Sequence, residues 1–173
     1  MRFVLLAGGI GAGKSSAAER TSVRLGIPVL RMRDALTHAT GADSADRVEM
    51  QKRAAALDLE TGGQWVVDYL AGLPKGERAI VDAVRTLREA RALMDSFDSS
   101  LVYLDASEAT RRRRYEEGRA TDQMKAALPF DAAMAHPIEI EALRVRDVAT
   151  VIIDTNSLDV DEVAEQIVEH LDE

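Results

Sequence analysis

Short apolar runs recur along the chain and alternate with longer stretches in which apolar residues are spaced three or four positions apart. The runs are rich in Val, Ile, Leu and Ala, which is typical of strands buried in a parallel sheet. The predicted strands are Phe3–Ala7, Pro28–Met32, Ala79–Ala83, Leu101–Asp105 and Thr150–Asp154. Because strands separated by helices imply βαβ units, the pattern predicts an α/β fold: about five parallel strands with helices on both faces.

The stretches between the strands predict helices with recognisable ends. Gly26-Ile27-Pro28 ends the first helix, Gly62-Gly63 separates two helices, and Ser107 is placed to cap a strongly basic one. The predicted helices are Lys14–Leu25, Arg33–Ala39, Ala45–Glu60, Gln64–Leu73, Thr86–Phe97, Ser107–Glu117, Phe130–Asp147 and Val160–Leu171. No repeat or long linker interrupts this pattern, which favours a single domain over residues 1–173.

The composition is that of a folded domain with an aliphatic core. Of 173 residues, 46% are hydrophobic, 30% are charged and only 4% are aromatic. The chain has no cysteine, which excludes disulfides and thiolate chemistry and fits a cytoplasmic protein. Its apolar runs of about six residues are too short to span a bilayer, so we expect no membrane partner. The net charge of −8 makes nucleic-acid binding unfavourable without excluding it, and a few clustered arginines still suffice to bind small anions.

The first predicted strand leads into a glycine-rich loop that matches the pattern G-x-x-x-x-G-K-[ST] throughout. The loop is Gly8-Gly9-Ile10-Gly11-Ala12-Gly13-Lys14-Ser15, and Ser16 follows it in the first helix. Glycines permit turns that point backbone N–H groups at phosphate oxygens, and the helix N-terminus adds its positive dipole end. Lys14 is suited to neutralise the β- and γ-phosphates, and Ser15 to offer a hydroxyl to Mg²⁺. The loop and Ser16 therefore predict a site for ATP and Mg²⁺ in a three-layer P-loop NTPase fold.

Charged residues follow the second and third predicted strands, where parallel sheets bind their ligands. After the second strand, Asp34 can orient or deprotonate an attacking hydroxyl, hold Mg²⁺ through water, or simply cap the next helix. Arg33 can contact an acceptor phosphate or remain solvated. The third strand ends in Asp82, the Walker-B arrangement in which a carboxylate reaches the Mg²⁺ shell, and Arg85 follows within reach of a phosphate.

The fourth predicted strand is followed by a run of arginines, Arg111-Arg112-Arg113-Arg114, on one helix. Spacing of three residues puts Arg111 and Arg114 on one face, whereas Arg112 and Arg113 point elsewhere. Arg111 and Arg114 are candidates to bind the nucleotide, and Arg119, on a turn after Gly118, to stabilise the transferring phosphoryl group. The alternative is a solvated basic face paired with nearby glutamates.

Two polar residues between the second and third strands also share a helix face. Arg47 and Gln51 are four residues apart, so the arginine is placed to hold an anionic group while the glutamine amide reads a base edge. That pairing suits a nucleoside monophosphate, although both residues can equally be on the surface. Trp65 is expected in the core rather than as a stacking platform.

These motifs together resemble the nucleoside monophosphate kinase group of P-loop proteins, in particular its deoxynucleoside monophosphate kinase-like and dephospho-CoA kinase-like branches. The resemblance spans nearly the whole chain. It implies an acceptor-binding helical region at about 35–75 and a lid at about 111–125. It also implies that Arg85 touches the acceptor phosphate and that residues around Asn156 pack near the adenine.

The sequence therefore predicts an ATP-dependent kinase that moves the γ-phosphoryl group onto a small nucleotide-type acceptor, most simply a (deoxy)nucleoside monophosphate. Dephospho-CoA and a modified base within DNA are alternative acceptors. A regulatory NTPase without an acceptor is the alternative from another class, and the absence of an N-K-x-D guanine motif makes it less favoured. The choice between ATP and GTP, and between monomer and homodimer, stays open.

Overall fold

A computed structural model describes residues 2–41, 47–73, 78–119 and 128–172 of the chain. Within these residues, five strands form one parallel sheet in the order β2-β3-β1-β4-β5. The strands are β1 Arg2–Ala7, β2 Val29–Arg31, β3 Arg78–Val84, β4 Ser99–Asp105 and β5 Val151–Asp154. All five match predicted strands, and the α/β fold class is confirmed.

Helices connect the strands. They are α1 Lys14–Leu25, α2 Met32–Thr40, α3 Arg47–Thr61, α4 Gln64–Ala71, α5 Leu87–Ser96, α6 Glu108–Gly118, α7 Phe130–Met134, α8 Pro137–Arg144 and α9 Val160–Asp172, with a 3₁₀ turn at Val145–Val148. Predicted end signals operate at several of them: α1 ends at Gly26 in the left-handed conformation, and the Ser107 hydroxyl caps α6. None of the described helices is long and apolar enough to cross a membrane.

The predicted continuous helix Phe130–Asp147 is wrong, because the chain breaks between α7 and α8. His136 has an extended backbone, and its Nδ1 accepts a hydrogen bond from the N–H of Ile138 at 3.3 Å. Pro137 has no N–H to continue α7, but it fits the first position of a new helix. The break therefore divides the predicted helix into two short ones, α7 and α8.

The start of α2 also differs from prediction. Met32, expected at the end of the second strand, is the first residue of the helix, and Arg31 is its extended N-cap. Asp34 therefore lies inside the first turn, and the alternative that it caps the helix is wrong. A carboxylate in this turn still interacts favourably with the helix dipole.

The core has two layers, one on each face of the sheet. Alternation along β1 sends Phe3 and Leu5 into the layer beneath α2, α4 and α5, and Val4 and Leu6 into the layer beneath α1 and α9. With both faces covered, only the strand ends are open to ligands. The charged residues after β1, β2, β3 and β4 are thereby gathered at one edge of the sheet.

Candidate functional site

The glycine-rich loop joins β1 to α1 with the backbone turns that its sequence predicts. Gly8, Gly11 and Gly13 have φ values of 144°, 80° and 93°. A turn bond runs from the N–H of Ala12 to the carbonyl of Gly9 at 3.1 Å. Ser15 and Ser16 lie exposed in the first turn of α1, where backbone N–H groups and the helix dipole favour an anion.

Helix α6 packs directly against this loop through Arg111. A Cβ atom on Gly11 would overlap the Arg111 carbonyl, and one on Gly9 would meet the Arg111 Nη1 at 2.6 Å. The Arg111 side chain is only 6% exposed, and its Nη1 donates to the Ile10 carbonyl at 3.4 Å. Arg111 therefore packs against the backbone of the loop and places a positive charge next to it.

Lys14 folds back over the loop. Its Nζ donates to the carbonyls of Gly8 and Gly9, both at 2.8 Å, and the side chain is buried. Burial and, next, the positive charge of Arg85 lower the pKa of Lys14 to about 8, against the opposing effect of nearby carboxylates. Lys14 is thus charged at neutral pH but close to losing its proton.

Asp82 lies beside the strand that leads into the loop. The sheet register pairs it with Leu6 of β1 and with Arg31 of β2, and its negative charge raises the pKa of Lys14. Asp82 is half-buried and Ser15 is exposed, so neither side chain is fully shielded from solvent. No group of three or more acidic, His or Cys side chains that could hold a metal is found within the described ranges.

Arg85, just after β3, is held by a carboxylate from a distant helix. Its Nη1 donates to Oε1 of Glu139 on α8 at 2.6 Å, and Glu139 raises the pKa of Arg85. The same oxygen accepts from Nε2 of Gln51 on α3 at 3.0 Å. The Arg85 side chain is 35% exposed, whereas that of Glu139 is 1% exposed. Two residues predicted to bind the acceptor thus meet on one buried carboxylate.

A second buried network fixes the turn that carries Arg85. The carboxylate of Glu89 accepts hydrogen bonds from the backbone N–H groups of Arg85 at 2.8 Å and Thr86 at 3.2 Å. The Thr86 hydroxyl donates to Asp58, which also accepts from the Trp65 indole at 2.6 Å. Burial and the charge of Asp58 raise the pKa of Glu89 to about 8. Trp65 is in the core, as predicted.

A cleft of about 360 Å³ opens where the glycine-rich loop enters α1. Its lining includes Gly13, Ser16, Arg114, Thr155 and Leu158. Arg114 lines the cleft and the other three arginines of the run do not, because consecutive residues of a helix point in different directions. Within that run, by contrast, Arg112 pairs with Asp131 at 2.6 Å, and Arg113 lies 3.7 Å from Glu117.

The model of the family described as RapZ-like N-terminal domain matches residues 76–173, which is more than half of the chain. The chain belongs to this RapZ-like family. The matched part contains β3, β4 and β5 with Asp82, Arg85 and Arg111, while the glycine-rich loop precedes it. No curated protein matches the chain.

Several solved kinases share the fold of this RapZ-like protein. Shikimate kinase from Bacteroides thetaiotaomicron is 14% identical, with a TM-score of 0.62 over 100% of this chain and 99% of that one. APS kinase from Mycobacterium tuberculosis, solved with AMPPNP and APS, is 22% identical, with a TM-score of 0.62 over 99% and 98% of the two chains. A gluconokinase from Sinorhizobium meliloti 1021 is 20% identical, with a TM-score of 0.64 over 98% and 90%. At these identities the likeness establishes the fold alone.

Asn156 of the RapZ-like chain joins two loops at the edge of the cleft. Its Oδ1 accepts from the N–H of Ser107 at 2.9 Å, and its Nδ2 donates to Asp154 at 2.7 Å. The adjacent Thr155 and Leu158 line the cleft instead. Asn156 therefore supports the loops around the cleft, and a contact with adenine stays a prediction.

The remaining predicted site residues are on α2, on α3 and at the end of α6. Arg33 and Asp34 are exposed in the first turn of α2. Arg119 follows α6 and donates to Glu116 at 2.9 Å. The side chain of Arg47, residues 42–46 and 74–75 of the acceptor region, and residues 120–125 of the lid lie outside the described residues.

Proposed function

We propose that this RapZ-like protein is a phosphotransferase that binds ATP with Mg²⁺ and moves the γ-phosphoryl group to an oxygen atom of a small acceptor. The observation that carries the proposal is the meeting of the glycine-rich loop, Lys14, Asp82 and Arg85 at one edge of the sheet. The loop is suited to the phosphates, and the cleft lined by Arg114 and Leu158 is suited to the nucleoside. The fold shared with small-molecule kinases supports the same chemistry.

The residues present fit a magnesium ion. Mg²⁺ prefers oxygen ligands and usually takes only one or two from the protein, with phosphates and water completing its shell. Ser15 and Asp82 offer such oxygens beside the loop. When bound, Mg²⁺ neutralises the charge on the phosphate oxygens during transfer.

Lys14 and Asp34 carry the remaining parts of the proposed reaction. On nucleotide binding, the Lys14 ammonium exchanges the carbonyls of Gly8 and Gly9 for phosphate oxygens. The acceptor oxygen forms a bond to the γ-phosphorus as the bond from that phosphorus to the β–γ bridging oxygen breaks, which releases ADP. Asp34, in the first turn of α2, would orient the attacking oxygen of the acceptor or hold Mg²⁺ through water. It would take a proton only from an acceptor that attacks through a hydroxyl.

We propose a (deoxy)nucleoside monophosphate as the acceptor. Arg33 is exposed and Arg85 is partly exposed after adjacent strands, so both are available to a phosphate monoester. Gln51 lies next to Arg85 through their common partner Glu139. It is only 8% exposed, so we propose that the polar atoms of its amide not bonded to Glu139 meet a base edge that enters this site. These residues, rather than the shared fold, support this choice of acceptor.

An acceptor panel coupled to ADP release tests the proposal. The panel contains nucleoside and deoxynucleoside monophosphates, dephospho-CoA, shikimate, APS and gluconate, each with and without Mg²⁺. We expect Mg²⁺-dependent ADP release to rise at least about tenfold with one nucleoside monophosphate. Stimulation by another member reassigns the acceptor. Slow ADP release that no member stimulates contradicts the phosphotransferase and favours a regulatory NTPase.

A further inference from the structure

Glu139 places a negative charge where the proposed acceptor phosphate is expected. Its carboxylate is 1% exposed and bonds directly to Arg85, the residue assigned to that phosphate. Glu139 lies in the first turn of α8, where the helix dipole stabilises a carboxylate. The Arg85–Glu139 pair is therefore a built feature of the acceptor site and not an incidental surface contact.

An acceptor phosphate and Glu139 compete for one guanidinium group. A doubly charged phosphate that approaches Arg85 also approaches the buried carboxylate, and repulsion between buried charges is poorly screened by solvent. The phosphate must therefore draw the Arg85 guanidinium away from Glu139, or share it and lose binding free energy to the repulsion by Glu139. This competition weakens the binding of any bare anion.

Gln51 makes the exchange possible. It donates to the same Oε1 atom that accepts from Arg85, so Glu139 keeps a hydrogen-bond donor when Arg85 moves. A buried carboxylate is destabilised by each hydrogen-bond donor that it loses. Gln51 thereby lowers the free-energy cost of releasing Arg85 to a ligand.

We propose that Glu139 is a specificity-determining residue of the acceptor site, which holds Arg85 in the free protein and yields it only to an acceptor that makes further contacts. The proposal rests on the assignment of Arg85 to the acceptor phosphate. The site then rejects inorganic phosphate, although phosphate carries the same charged group as a nucleotide acceptor. The discrimination comes from the competing carboxylate and requires no steric barrier.

Inorganic phosphate is the probe that tests this role. Its dissociation constant is measured by calorimetry on protein saturated with Mg–AMPPNP, a triphosphate analogue that also fills the γ-phosphate position of the glycine-rich loop. Glu139→Gln keeps the shape of the side chain but removes its charge, and we expect phosphate to bind about tenfold more tightly. Gln51→Leu removes a donor that stays with Glu139 when Arg85 moves, and we expect phosphate to bind several-fold more weakly.

Glu141→Gln is the matched control on the same helix. Glu141 is partly exposed and lies 3.8 Å from Arg88, so its loss is expected to change phosphate affinity by less than about twofold. A folded Glu139→Gln protein with unchanged phosphate affinity overturns the proposal, even if its melting temperature falls. If this variant does not fold, Glu139→Asp, which keeps the charge but shortens its reach to Arg85, must bind phosphate more tightly.

The phosphate-binding experiment and the acceptor panel can fail independently of each other. Phosphate affinity is measured without transfer, so the effects of Glu139 and Gln51 are visible even if no acceptor is phosphorylated. Conversely, if the protein is an active kinase whose phosphate affinity is the same in both variants as in the wild type, the proposed function stands and this inference is wrong.

Discussion

Arg114 is joined to Thr155 by both of its terminal nitrogens. Nη1 donates to the threonine hydroxyl at 3.0 Å, and Nη2 donates to the threonine carbonyl at 2.6 Å. The contact connects α6 to the loop after β5 and forms a wall of the cleft beside the glycine-rich loop. Partial burial lowers the pKa of Arg114, but it stays charged at any ordinary pH.

Replacing Arg114 with alanine is expected to weaken the binding of Mg–ATP by about tenfold, because the cleft loses both a wall and a positive charge. Isothermal calorimetry measures the change. Arg112→Ala removes another arginine of α6, which pairs with Glu108 and Asp131 outside the cleft lining, and is expected to have less than about a twofold effect. Equal losses in the two variants would show that only the net charge matters.

Lys14→Ala and Asp82→Ala are each expected to lower the rate of phosphoryl transfer by about 10²-fold or more. In the proposed mechanism, each substitution removes a charged group that lies beside the transferring phosphoryl group. The rate of ADP release with the best acceptor measures the loss, and Lys52→Ala and Asp95→Ala, both at exposed helical positions, serve as controls. Near-normal turnover in the first two variants would contradict the site assignment.

The binding of Mg–ATP is expected to take up a proton above pH 8. The pKa of Lys14 is lowered to about 8 in the free protein, and the triphosphate favours the charged ammonium. Proton uptake should be near zero at about pH 6.5 and approach one proton per site at about pH 9.5. Calorimetry in buffers of different ionisation enthalpy measures it, and the uptake should disappear in Lys14→Met. Uptake that persists in this variant belongs to another group.

Glu89 is expected to make the free energy of unfolding fall as the pH rises. The pKa of Glu89 is raised from 4.5 to about 8, so in this window the folded protein keeps a proton that the unfolded chain releases. The stabilisation is complete below pH 4.5 and is lost as the pH rises through about 8. The slope is at most about 1.4 kcal/mol per pH unit.

Urea unfolding at several pH values measures this slope, which Glu89→Gln should flatten because the amide still accepts hydrogen bonds but does not titrate. Glu162 provides a matched control, since it caps the N-terminus of α9 in the same way but is exposed. A slope unchanged in Glu89→Gln would show that Glu89 does not carry this proton.

The sheet, most helices and the glycine-rich loop were predictable because their signals are local. Strand runs, end signals and the spacing of Arg111 and Arg114 are all readable within about a dozen residues. The break at His136-Pro137 had a local signal too. The long apolar pattern outweighed it, although proline starts helices more readily than it continues them.

The partners of the site residues were not predictable in the same way. Glu139 is 54 positions from Arg85, and Thr155 is 41 positions from Arg114. Nothing in the neighbourhood of Glu139 distinguishes a buried partner of an arginine from an exposed glutamate on a helix. Such pairings depend on how the elements pack, so they become visible only in three dimensions.

The single tryptophan of the chain lies two hydrogen bonds from the turn that carries Arg85. The Trp65 indole is bonded to Asp58, and Asp58 to Thr86, the residue after Arg85. Occupation of the acceptor site is therefore expected to alter the intrinsic fluorescence of Trp65. Such a change would serve as an optical reporter within the protein, and ligands could then be screened without dyes, labels or knowledge of the natural substrate.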